Sequence, residues 1–284
     1  MRKSICGKIQ NNLISEGSVI TFCILLLLVI ANYMKNIKTY SGLDISLMYD
    51  HMKIILPSYN NVYDRADYLL LFRLLFPILI VLPASFSYIN DEKTGRIVYL
   101  FSREGYKRYI YESIVANFMT TFLVFLVPLL LDLFITFSSF PTKAKCDLSN
   151  YGLYSREYAD MVYNYFFCRL YLYNPYIYLL ICIIRICSFA GILSVFPTLL
   201  SYMIPFRFRF YLFFPTYIIL NGTIVLNYVI RDKVFSTDIY DYILLFNDEN
   251  KSWKGYYVLV FFIFLADICF LFIGNLRRRK QIGC

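Results

Sequence analysis

Six predominantly apolar runs interrupt this sequence, at Val19–Met34, Tyr68–Tyr88, Ile114–Phe137, Tyr176–Leu200, Phe210–Ile230 and Tyr256–Gly274. Each approaches the roughly 20 residues that carry a helix across about 30 Å of hydrocarbon. Inside a bilayer no water satisfies the backbone, so only helices or a closed barrel can span it. The runs are continuous and not alternating, which argues against a barrel. A chain that is 59% hydrophobic and 17% charged also has more apolar surface than one soluble core can hide. The expected fold is therefore all-α, an integral membrane bundle of six transmembrane helices. No repeat, low-complexity linker or soluble domain is visible, so 1–284 reads as a single transmembrane domain.

Orientation follows from Lys and Arg beside the runs. With the N-terminus inside, the inner pieces are an interfacial segment 1–18, the loop 89–113, the turn between spans four and five, and the tail 275–284. They carry 14 basic residues, against 12 in the longer external pieces, which include the loops 138–175 and 231–255. The reading is a multi-pass plasma-membrane protein with both termini cytoplasmic. Arg277–Lys280, directly after the last run, can pair with anionic membrane lipids. The net charge of +9 then needs no nucleic acid, and no nucleic-acid motif occurs. Ile5, Ile9 and Leu13 recur every four residues away from Lys3, Lys8 and Asn11, which predicts an N-terminal amphipathic helix along the inner surface. An ordinary charged tail is the alternative. Cleavage of the first run as a signal is not expected, because its polar lead is long and no A-x-A-like site follows.

Several chemistries lack their residues. Eight cysteines show no metal-ligand spacing, and His51 is the sole histidine, so no metal site or imidazole catalysis is expected. Cys146 and Cys168 share an external loop, which leaves both a disulfide and two free thiols open. No G-x-x-x-x-G-K-[ST] occurs, so the chain is not expected to be an enzyme and any ATP-driven role needs a second polypeptide.

Four charged residues fall inside the runs: Arg73, Asp132, Arg185 and Asp267. A charge facing lipid costs at least a few kcal/mol, so each should face protein or water. Arg73 and Asp132 lie at one depth, Arg185 and Asp267 at another nearer the midplane. Two buried ion pairs, Arg73–Asp132 and Arg185–Asp267, are expected from this match, either to hold the bundle together or to touch a substrate. Pro77, Pro83, Pro128, Pro197 and Pro215 fall in or beside the runs and should kink them. Outside, Tyr151, Tyr154, Tyr158, Tyr163, Tyr165, Tyr171, Tyr173, Tyr176 and Tyr178 suit the headgroup boundary. Ser236–Phe246 reads as an amphipathic helix too short to cross.

The inner loop carries the most specific pattern. Asn90-Asp91-Glu92 ends the second run, Gly95 breaks the charged stretch, and Ser102-Arg103-Glu104-Gly105 precedes Tyr106–Tyr111. The Ser102 hydroxyl is placed to cap a helix beginning near Arg103, with Arg103, Lys107 and Arg108 outward and Tyr106, Tyr109 and Ile110 as contact surface. An acidic residue and glycine after the second run, then Y-L-x-S-R-x-G-x-x-R/K-Y-I leading into the third, resembles the transmembrane permease of type-2 ATP-binding-cassette exporters, small bacterial half-transporters in particular. The local motif covers Asp91–Val115, and the six-span plan with cytosolic termini resembles the family along almost the whole chain.

The resemblance implies a cytosolic coupling helix that enters a cleft of a separate ATPase subunit, with Glu92, Gly95, Ser102, Arg103, Lys107 and Arg108 at the coupling positions. It implies ATP and Mg held by that partner, and a homodimer or a heterodimer with a second permease. Members often hold a re-entrant helix where Ser236–Phe246 lies, and a Lys shortly after the Y-I pair, where this chain has Glu112-Ser113. Two other readings stay open: a non-transporting immunity or scaffold protein of the membrane, and an ion-coupled secondary transporter using Arg185 and Asp267.

Overall fold

A computed structural model describes residues 2–40, 56, 67–83, 85–139, 175–204, 208–230, 239–240 and 253–282. The described residues form nine α-helices and one 3₁₀ turn, with no strand among them. They are α1 (Arg2–Leu13), α2 (Glu16–Tyr40), α3 (Asp67–Val81), α4 (Ser87–Lys93), α5 (Arg96–Glu104), α6 (Tyr106–Ser139), α7 (Pro175–Met203), the 3₁₀ turn Arg209–Leu212, α8 (Phe213–Ile230) and α9 (Trp253–Ile282). His51, Cys146, Cys168, nearly all of the two external loops and most of Ser236–Phe246 lie outside the described residues.

Three helical stretches are long and apolar enough to cross a membrane: Glu16–Lys38, Tyr106–Ser139 and Ile177–Met203. Shorter apolar stretches occupy Leu71–Val81, Phe210–Val225 and Val260–Gly274. Large apolar side chains lie exposed along these helices, among them Leu27, Phe134, Ile218 and Phe261. Such a surface is at odds with water and suited to lipid.

The second apolar run does not form one helix to Tyr88, as expected. α3 stops at Val81, Leu82, Pro83, Ser85 and Phe86 lie in turns, and α4 begins at Ser87. Pro83 is the physical cause: it has no N–H to continue the helix and disfavours helical geometry at the residue before it. Its carbonyl accepts instead from the Ser15 and Ser18 hydroxyls, each at 3.1 Å. Gly17 makes this approach feasible, since a Cβ there would lie 2.1 Å from the Leu82 carbonyl oxygen. The helices run on through Pro77, Pro128 and Pro197, whereas Pro215 sits in the first turn of α8, where its missing N–H is harmless.

The N-terminal helix also departs from expectation. α1 does not turn away to lie flat; it packs along α6 and continues the line of α2. Lys8 meets Glu112, Asn12 meets Asn117 and Tyr33 meets Ser139, at offsets of 104, 105 and 106 residues. A nearly constant offset means that α1 and α2 together run parallel to α6 and in register with it. α6 has 34 residues, roughly 51 Å at about 1.5 Å per residue. That exceeds the hydrocarbon thickness of about 30 Å, and α1 flanks its first turns.

A minor apolar cluster of Val81, Ile89 and Leu212 accompanies two main cores in the bundle. In the larger, Phe76 packs on Phe72, Phe125 and Tyr240 with ring centroids 5.4 to 5.9 Å apart. The smaller gathers Tyr88, Ile97, Tyr109, Ile110, Leu199 and Tyr202, tying α4 and α5 to α6 and to the end of α7. Tyr88 and Tyr202 meet edge to face at 4.1 Å.

Candidate functional site

Glycine geometry defines the inner loop. Gly95 (φ 69°) caps the start of α5 and Gly105 (φ 78°) ends it, both in backbone regions that L side chains rarely adopt. A Cβ at either would meet nothing within 4 Å, so the requirement is conformational and not steric. α5 is thus a separate nine-residue helix between two breaks. Ile97 is buried and Leu100 and Phe101 pack with it against α6, while Val98, Tyr99, Ser102 and Arg103 are exposed.

Ser102 does not cap a new helix. It sits inside α5 and donates its hydroxyl to the Tyr99 carbonyl at 2.9 Å. The helix has already begun at Arg96, so the next start falls after Gly105 and not at Arg103. Glu92, Lys107 and Arg108 are exposed, the last two in the first turn of α6. Tyr109 and Ile110 are buried, and Tyr109 donates to Asp91 Oδ2 at 2.7 Å, fastening α4 to α6.

Beside this loop lies an ionic hub that the sequence did not signal as one. Glu112 is fully buried, with Lys8 Nζ at 3.2 Å and Arg108 Nε at 2.9 Å. Lys8 also lies over the Tyr109 ring, 4.4 Å from its centroid. A buried carboxylate is tolerable only with such charge-assisted partners, and removal of one leaves the other stranded. One turn on, Asn12 Nδ2 donates to Asn117 Oδ1 at 3.1 Å and Asn117 Nδ2 donates to Thr198 Oγ1 at 2.8 Å. Thr198 passes its own proton to the Ser194 carbonyl at 3.0 Å. This chain joins α1, α6 and α7 through the apolar interior. In the sequence Glu112 stood out only for replacing the Lys that members of the resembled family often carry, with Arg108 four residues before it.

The expected intramembrane ion pairs do not form. Among the described residues the ion pairs are Lys8–Glu112 and Arg108–Glu112. Asp132 accepts from the Leu56 backbone N–H at 2.8 Å. The Arg73 guanidinium lies 4.7 Å from the Tyr240 ring centroid, and Tyr240 donates to the Arg73 carbonyl at 2.9 Å. Asp267 is buried, and its Oδ1 has no hydrogen-bond partner. Depths counted from the ends of the runs do not match in the bundle: α7 and α9 meet at Phe196 and Phe270, eleven residues after Arg185 but three after Asp267.

Among the described residues no cluster of His, Cys, Asp and Glu could hold a metal ion. No family model, curated protein or solved structure matches the chain.

Proposed function

We propose that the chain is the membrane-spanning permease subunit of an exporter driven by a separate ATPase subunit, with α5 as its coupling helix. One observation carries this reading: a short helix set off by two positive-φ glycines exposes Val98 and Tyr99, at 71% and 64%, beside Ser102 and Arg103. Apolar side chains bordered by charge on a solvent-facing helix suit a protein contact. Its opposite face grips α6, and α6 grips α1 through Glu112. A push on α5 would then reach α1, α6 and α7 together.

On this reading α3, α8 and α9 complete six spans, both termini are cytoplasmic in the plasma membrane, and the permease works as a homodimer or a heterodimer. ATP and Mg bind to the partner subunit, and the cargo is amphiphilic. The sequence supports the division of labour, since it holds no phosphate-binding loop.

Co-purification from the native membrane tests the reading. An ATPase subunit should accompany the wild-type chain, and Val98→Asp with Tyr99→Asp should release it while leaving the permease folded. An association that survives both substitutions, or labelling of a Tyr99→Cys variant from the external face, overturns the assignment of α5.

A further inference from the structure

A cavity of about 550 Å³ lies between α1, the start of α2, the turns at Leu82, Pro83 and Phe86, and the α4–α6 segment. Its volume falls in the range of about 300 to 1,000 Å³ typical of small-ligand sites. The charged residues lining it are balanced: Lys8 and Arg96 are cations, Glu16 and Asp91 are anions. Asn90 also lines it, and Asn90 Oδ1 is buried without a hydrogen-bond partner. A wall of this kind offers a simple anion no net attraction, because its formal charges cancel. It suits a molecule that carries both charges.

Height in the bundle identifies the source of such a molecule. The cavity extends from Asp91 and Arg96, on the polar loop, to Ala116 and Asn117, just inside the apolar stretch of α6. That is the level at which lipid headgroups meet hydrocarbon. Ile20, Leu82 and Phe86 supply an apolar margin, and Ile20 is 48% exposed on the outer side of α2.

We propose that this cavity binds the zwitterionic headgroup of a bilayer amphiphile of the phosphoethanolamine class, with its phosphate toward Lys8 and Arg96 and its ammonium toward Asp91 and Asn90. The existing contacts leave room for this. Asp91 has about four lone-pair sites, so the Tyr109 hydroxyl does not exhaust it. Headgroup binding is independent of any transport role, because a membrane scaffold would use the same site.

The full chain, purified in detergent, is exposed in turn to phosphatidylethanolamine, to phosphatidylglycerol and to water-soluble phosphoethanolamine. Bound lipid is counted by native mass spectrometry and the soluble compound by calorimetry. Phosphatidylethanolamine should be retained over phosphatidylglycerol, and Arg96→Gln and Asp91→Asn should each weaken it by about tenfold, the effect of losing one charge-assisted bond. Arg96 is exposed, so its variant keeps the test valid should the Asp91 variant fold poorly. Ile20→Trp, at the margin, should lower lipid retention as well. Equal retention of the two lipids, or undiminished retention by Arg96→Gln, overturns the proposal. Soluble phosphoethanolamine binding as tightly as the lipid overturns its assignment to the bilayer.

Discussion

Lys8 Nζ lies 3.2 Å from Glu112 Oε2, joining side chains 104 positions apart on two helices that run in the same direction. The acid is wholly buried and the lysine side chain is 20% exposed. Each charge depends on the other more than a surface pair would, since water reaches only one of them.

Lys8→Met should therefore lower stability by about 1–3 kcal/mol, because the buried Glu112 would lose a cationic partner. Glu112→Gln should be destabilising too. The double variant should be less damaged than the sum of the two, by about 1–3 kcal/mol, as measured by thermal unfolding in detergent. Strict additivity would show that the two side chains do not interact.

At Gly17 a methyl group has no room, whereas at Gly7 it meets nothing within 4 Å. Gly17→Ala should cost about 1–3 kcal/mol through overpacking against the Leu82 carbonyl. Gly7→Ala, within α1, should instead stabilise by about 0.5–1 kcal/mol. Opposite shifts in melting temperature check the pair in one experiment.

For the breaks around α5, Gly95→Ala and Gly105→Ala should each cost about 1–3 kcal/mol by backbone strain alone. No clash accompanies either change. If α5 is the coupling helix, both variants should retain the ATPase subunit yet lower its hydrolysis when assayed in the complex. A normal rate in a complex with either variant counts against a mechanical role for the breaks.

Asp132 separates two roles for a buried acid. As a cap for the Leu56 N–H, it can be replaced by Asn, whose amide oxygen still accepts. Asp132→Asn should change stability by less than about 1 kcal/mol, and Asp132→Leu should cost about 1–3 kcal/mol by orphaning that N–H. A charge swap of Arg73→Asp with Asp132→Arg should give no mutual rescue, read from yield and melting temperature.

Helical class was legible because a long apolar run has one way to satisfy its backbone in lipid. Interruptions were less so. Pro83 was recognisable as a kink, but only the hydroxyls of Ser15 and Ser18, far off in sequence, show why the chain stops there and does not bend onward. Ser102 carried a capping residue's chemistry in a place where Gly95 had already begun the helix. Depth counting from run ends misaligned Arg185 and Asp267, since the register of Phe196 on Phe270 is set by packing that the run ends do not show. Glu112 stood out as the departure from a familiar pattern, and its partner Lys8 was read on the polar face of an amphipathic helix, which gave no sign of a buried acid waiting for it.

The in-register alignment of α1 and α2 with α6 bears on biogenesis. The ribosome delivers Lys8 long before Glu112, so the amino-terminal helix must wait for the synthesis of α6 before its docking partner exists. A one-residue slip would misalign Lys8, Asn12 and Tyr33 at once. Late arrival of α6 therefore acts as a checkpoint, and chains truncated before Asn117 should present an undocked N-terminus to quality-control proteases.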